Sequence, residues 1–183
     1  MKSIPYYSCL ALAAMLLSPV RAEKADTAQK AEITAESAVH DDVKQVTTFT
    51  GNVLLTKGTL IMKAGKMILK TDPAGYQFAT MLPGPGGFTT FRQKRDGGDF
   101  WVDGQAERIE YDNKTEIVKL FNKAKLIKLE GVKVTDEMEG EYISYDSRND
   151  LFSVNNTANG TSKAGAGRVK VVIQPRVEGQ ASK

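Results

Sequence analysis

Ala106-Glu107-Arg108-Ile109-Glu110-Tyr111-Asp112 returns 34 positions later as Gly140-Glu141-Tyr142-Ile143-Ser144-Tyr145-Asp146, identical at Glu, Ile, Tyr and Asp. The likeness continues from Lys114, Glu116, Ile117 and Val118 to Arg148, Asp150, Leu151 and Phe152, and a weaker copy begins at Ala35-Glu36. Ile109 and Tyr111 share one side while Arg108 and Glu110 take the other, the alternation of a β-strand. Val118 and Leu120 repeat the pattern, as do Ile143 and Tyr145. Each copy therefore reads as strand, turn, strand, and a series of such hairpins stacks into one long rolled sheet. Gly51-Asn52-Val53-Leu54-Leu55 aligns in the same way with Asn122-Lys123-Ala124-Lys125-Leu126.

From Ala31 to about Val154 the same grammar holds: short runs rich in Val, Ile, Thr, Phe and Tyr, broken by Gly, Asn and Asp. Lys57-Gly58, Asp72-Pro73-Ala74-Gly75, Asp96-Gly97-Gly98-Asp99, Asp112-Asn113-Lys114, Glu130-Gly131 and Ser147-Arg148-Asn149-Asp150 supply turn residues between antiparallel strands. No window outside the N-terminus keeps a helical spacing of apolar residues. Leu82-Pro83-Gly84-Pro85-Gly86-Gly87 cannot be a central strand, since two prolines remove backbone donors, and it predicts an edge or an open corner. The stretch from Asn155 to Gly167 lacks large apolar groups and reads as a loop, followed by a last strand, Arg168 to Ile173, that Pro175 stops. The expected fold is all-β. Its inward set comprises Phe49, Val53, Leu55, Leu60, Met62, Phe91, Ile109, Tyr111, Val118, Leu120, Leu126, Ile143 and Tyr145. Parity alone leaves open whether these residues form a closed core or line an accessible groove.

The ends carry a different signal. Lys2, the apolar run Cys9 to Leu17 and the small-residue site Val20-Arg21-Ala22 predict a cleavable signal peptide over 1–22. Residues 23–30 read as a flexible lead-in, 31–175 as one domain and 176–183 as a disordered tail. The single cysteine, Cys9, lies in the signal segment, so the mature chain is expected to hold no disulfide. Loss of Lys2 and Arg21 lowers the basic residues from 25 to 23 against 22 acidic ones. So even a balance argues against a nucleic-acid partner.

Few residues invite chemistry. His40, followed by Asp41 and Asp42, is the only histidine, so neither a zinc site nor a histidine-based nucleophile is expected. Glu107, Glu110, Glu139 and Glu141 are candidates for a carboxylate pair, but they alternate with apolar residues as a solvated strand face does. Ala164-Gly165-Ala166-Gly167-Arg168 lacks the ending of a phosphate loop and opens a strand. Trp101, Phe100 and Tyr76 are candidates for a sugar-stacking platform or for plain packing. Neither catalysis nor a cofactor is expected.

Thr48-Phe49-Thr50-Gly51-Asn52-Val53 with Lys57-Gly58-Thr59-Leu60-Ile61-Met62-Lys63-Ala64, then Gly104 to Tyr111, then Arg168 to Pro175, resembles the OstA-like family of lipopolysaccharide transport proteins. The resemblance runs from Glu32 to Pro175 and implies an open, twisted antiparallel β-jelly roll whose apolar interior receives lipid A acyl chains. A cleavable signal peptide, a single domain and the lack of a barrel point to the periplasmic bridging member. The soluble region of an inner-membrane-anchored relative and a glycan-binding β-domain are the alternatives. Carried onto this chain, the interior adds Ala31 and Ile33 at its mouth to Phe49, Val53, Leu55, Phe91, Ile109, Tyr111, Val118, Leu120, Ile143 and Tyr145. The resemblance further implies inner-membrane-anchored and outer-membrane barrel partners. It also implies head-to-tail self-association through one edge near Glu32, Thr34 and Val39 and another near Val169, Val171 and Ile173.

Overall fold

The computed structural model describes Asp26 and residues 28–175; the signal segment and the tail lie outside the described residues. Within them the chain forms twelve strands: β1 (Ala31–Thr34), β2 (Ser37–Asp41), β3 (Val46–Lys57), β4 (Leu60–Thr71), β5 (Gln77–Leu82), β6 (Thr89–Arg95), β7 (Phe100–Ala106), β8 (Arg108–Asp112), β9 (Ile117–Glu130), β10 (Lys133–Asp146), β11 (Leu151–Asn155) and β12 (Lys170–Ile173). Every pairing is antiparallel, as expected of hairpins in series.

Four long strands, β3, β4, β9 and β10, change partners midway. Residues 46–50 of β3 pair with β2 and residues 54–57 with β1; residues 61–63 of β4 pair with β6 and 66–71 with β5. Residues 117–121 of β9 pair with β8 and 125–130 with β7, while β10 passes from β12 at 136–139 to β11 at 142–146. Two half-sheets result, one running from β1 to β12 through β6 and β7, the other from β2 to β11 through β5 and β8. They meet along a line of bends and face each other across the core, the architecture of a β-jelly roll. Neither end pairs back on the other, so the roll stays open.

The bends have a local chemistry. Gly51 and Asn52, and again Asn122 and Lys123, take positive φ in succession, which turns the strand without losing its neighbour. Glu36 donates its backbone N–H to Gly51 and Glu107 donates to Asn122, at 3.0 and 3.1 Å, so the aligned sequence segments are structural equivalents. At Gly65 a Cβ would lie 2.4 Å from the backbone nitrogen of Gly84, so only glycine lets the Pro83–Gly87 corner cross β4. That segment is a corner between β5 and β6, not a sheet edge. Residues 156–169 make the matching corner between β11 and β12, with Gly160 packed against the Tyr142 ring. The last strand begins at Lys170, two residues later than Arg168.

The repeated hairpins close with one turn type. Asp41, Asp112 and Asp146 each accept backbone N–H bonds from residues two or three further on. Gln45, Glu116 and Asp150, each four residues after that aspartate, adopt positive φ of 54°, 59° and 52°. The weak copy at Ala35-Glu36 is thus a true third member. Within the segment read as a lead-in, Asp26 is buried and accepts bonds from Thr59 N at 2.7 Å and Thr59 Oγ1 at 2.6 Å, tying the chain to the β3–β4 turn.

Candidate functional site: the apolar interior and its margins

The inward-parity residues converge. Val53, Leu55, Leu60, Met62, Phe91, Ile109, Tyr111, Val118, Leu120, Leu126, Ile143 and Tyr145 are all buried in one cluster, and Phe49 packs against it from a half-buried position. Sequence parity missed Met67, Met81, Val102 and Met138, which belong to the same cluster. One aromatic contact joins the half-sheets, Phe91 on Tyr145 at 6.3 Å, and Tyr145 in turn stacks on Phe152 of the neighbouring strand at 4.6 Å.

The middle of this interior is filled by its own side chains, with Met62, Met67, Met81, Ile109, Leu120, Leu126, Ile143 and Tyr145 wholly inaccessible. It opens near β1 in a space of about 120 Å³ lined by Ala31, Ile33, Leu55, Lys57, Leu69, Ala79, Tyr111 and Asn113. Ala31 and Ile33 thus line this space beside Leu55 and Tyr111. A larger hollow of about 360 Å³ lies on the outer face of the β1-to-β12 half-sheet, among Ile61, Lys63, Thr90, Arg92, Asp103, Gln105, Lys125 and Ile127. Much of its lining is apolar, with the Phe91 edge at its floor, but it lies outside the interior and is ringed by the charged side chains of Lys63, Arg92, Asp103 and Lys125. Arg92 and Asp103 pair there at 2.8 Å, and burial holds the Asp103 carboxyl above its usual range against the pull of Arg92.

The margin opposite the bends is where the half-sheets would have to part. Two contacts of opposite charge cross it. Lys57, at the end of β3, lies 2.7 Å from Asn113 Oδ1, 3.4 Å from Tyr111 Oη and 3.5 Å from Glu116 Oε1, with Lys57 and Glu116 both buried. Arg95, at the end of β6, donates to Asp150 from Nε at 2.9 Å and also from Nη2. Close to the second contact, Lys128 sits 3.9 Å from the centre of the Phe152 ring. Burial, and then the neighbouring Arg95 charge, lower its pKa. Nothing in local sequence marks this margin, since its pairs are distant along the chain.

The remaining candidates disperse. Glu107 pairs with Lys123 at 2.6 Å, Glu110 with Arg108 at 3.5 Å and Glu139 with Lys125 at 3.3 Å, each on an outer face. Glu141 is exposed on the bend line. His40 contacts Thr47 Oγ1 at 2.8 Å and Asp42 at 3.0 Å on the exposed edge strand β2. Trp101 is covered by Arg92 at 4.5 Å and Tyr76 by Lys114 at 4.9 Å, on different half-sheets, so they and Phe100 make no shared platform. Glu32 and Thr34 lie on β1, exposed Val39 on β2, and exposed Val171 and Ile173 on β12, just after Val169. Among the described residues β1 and β12 each have one hydrogen-bonded neighbour, and β2 and β11 flank them as second edges at the two ends of the roll.

Comparison with known proteins agrees with this architecture. Residues 32–150 match the family model described as LptA/(LptD N-terminal domain) LPS transport protein. The lipopolysaccharide export system protein LptA of Haemophilus influenzae is 32% identical over 168 residues, 91% of this chain and 90% of that protein. LptA of Escherichia coli K12 is 36% identical over 112 residues, and the match spans 60% of the length of each. The crystal structure of LptH, the LptA-homologous periplasmic component of the lipopolysaccharide transport device of Pseudomonas aeruginosa, superposes with a TM-score of 0.71 at 26% identity, over 82% of this chain and 99% of that one. With its repeated hairpins, bent long strands and open roll, the chain belongs to the LptA/LptD N-terminal domain family of lipopolysaccharide transport proteins.

Proposed function

We propose that this chain is a periplasmic lipopolysaccharide-binding transport protein that shelters lipid A acyl chains between its half-sheets. It would connect inner- and outer-membrane components by head-to-tail strand pairing. The observation that carries the reading is the single apolar interior, built from every repeat and opening at Ala31, Ile33, Leu55 and Tyr111. Burying a methylene is worth about 0.8 kcal/mol, so an acyl chain of about a dozen carbons costs on the order of 10 kcal/mol to expose to water. A protein interior that accepts such chains lowers that cost at each step and needs no catalyst.

The interior is filled at rest, so lipid must enter by repacking it. Four methionines, Met62, Met67, Met81 and Met138, suit that task because an unbranched thioether adapts its shape at little cost. The edges suit the bridging role. β12 offers Val171 and Ile173 with Lys170, while β1 offers Ile33 with Glu32, so an added strand gains apolar contacts and opposite charges. A contact of one end with the other end of the next copy does not close and extends as a filament.

A photo-crosslinking residue at Phe91, Tyr111 or Ile143, with outward Arg108 as the control, tests the reading with purified lipopolysaccharide. Adducts at the three interior positions and none at 108 are expected. Adducts confined to 108 would overturn it.

A further inference from the structure

The two charged contacts that cross the free margin are built alike. Glu116 and Asp150 occupy the same position of the repeated turn, four residues after the capping aspartate, and both hold a left-handed backbone with φ of 59° and 52°. Each reaches a cation at the end of a strand of the facing half-sheet, Lys57 of β3 and Arg95 of β6. The third turn of the series has uncharged Gln45 at that position, and its carbonyl accepts from Thr71 within the same half-sheet. So the acidic residues occur in the two turns that face a cation across the margin.

What surrounds these contacts is unusual for plain structural ion pairs. Lys57 lines the 120 Å³ space together with Ala31, Ile33 and Tyr111, so its ammonium stands at the mouth of the apolar interior. Beside Arg95 lies a second cation, Lys128, held over Phe152 at a distance of 3.9 Å. Arg95 and Lys128 there share Asp150, and Lys128 also feels Asp136, so an anion that took the place of Asp150 would meet two cations. The rim of this margin also presents apolar tips: Leu151, next to Asp150, is 63% exposed and Val132, in the β9–β10 turn, is 97% exposed.

We propose that the free margin is a lateral gate, latched by Glu116 on Lys57 and Asp150 on Arg95, through which an amphiphile bearing alkyl tails and anionic headgroups enters by taking the place of the two carboxylates. The inference rests on the lipid-binding reading and adds a route and a selectivity to it. With the latches closed, each carboxylate faces its cation across the margin and the interior stays packed. An anionic headgroup at the margin pairs with Lys57, Arg95 and Lys128 in their stead, and the tails follow between the half-sheets. A neutral headgroup offers no replacement and must leave the cations with their carboxylates, so it enters against a closed gate. Charge at the margin thereby selects phosphorylated over neutral amphiphiles, while the interior supplies affinity without regard to the headgroup.

The test is calorimetric titration of the full chain with dodecyl phosphate and with dodecyl maltoside, both below their micelle concentrations. The wild type is expected to prefer the phosphate. Asp150→Asn should strengthen dodecyl maltoside binding by about threefold, the scale of one exposed ion pair. Arg95→Met should remove the preference for phosphate while maltoside binding persists. The Arg95 and Asp150 variants lie at the more exposed latch, so they keep the fold even if Glu116→Gln does not. Binding of both amphiphiles with the same ratio in wild type, Arg95→Met and Asp150→Asn would overturn the gate and leave the lipid-binding interior standing. Failure of the wild type to bind either one would overturn both.

Discussion

The Phe91 ring lies directly on Gly104, so closely that a methyl group at 104 would stand 2.1 Å from Cε1 and 3.0 Å from a Leu120 methyl. Phe91 is itself fixed on its other side by Tyr145 and has no room to turn. Gly104→Ala is therefore expected to lower stability by about 1–3 kcal/mol, the usual penalty of overfilling a tight core. Urea unfolding checks it, and an unchanged midpoint would show that the ring yields freely.

Lys57 and Glu116 are both buried and face each other at 3.5 Å. Removing one member leaves the other charged in a poorly solvated place. Lys57→Met should cost about 3–5 kcal/mol in chemical denaturation, and the double variant Lys57→Met with Glu116→Leu should recover most of it. Additive losses in the double variant would contradict a coupled pair.

Burial first, and then the negative charges of Glu116 and Asp26, push the Tyr111 phenol above its usual range. The folded state thus keeps the phenol neutral where the unfolded chain ionises it. The contribution is fully present below about pH 10 and is lost as pH rises beyond it. Between about pH 10 and pH 11.5, Tyr111→Phe should show a shallower fall in unfolding free energy than the wild type, by up to about 1.4 kcal/mol per pH unit. Parallel curves would place the phenol in contact with solvent.

β12 pairs with β10 over only four residues, Lys170 to Ile173, and exposes its far side. Deletion of residues 168–183 should leave a folded chain whose sedimentation no longer depends on concentration. Oligomers that persist would place self-association at another surface.

The fold was largely legible because its signals are local. Asp41, Asp112 and Asp146 cap identical turns, and the alternation of Ile109 with Tyr111 or Ile143 with Tyr145 is the pleat itself. What parity could not follow is the change of phase at the bends. Met62 and Ala64 face the core before Gly65 and Met67 after it, and Met138 is followed by Ile143 across Gly140-Glu141, where the register shifts. A two-residue period read through such a bend assigns the next strand to the wrong side. The latches were invisible for another reason. Lys57 sits in a Lys-Gly turn and Glu116 in a polar one, both of which read as solvated, and only the closure of the roll buries them together.

All four methionines of the described strands, Met62, Met67, Met81 and Met138, point into the interior, which makes their methyl groups reporters of its contents. The direct test of a lipid-accepting interior is methyl NMR of the methionine-labelled chain with lipopolysaccharide. Intermolecular Overhauser contacts between acyl methylenes and the methyls of Met62, Met67 and Met81 are expected. Saturable binding of the lipid with those three methyls unperturbed would contradict the account.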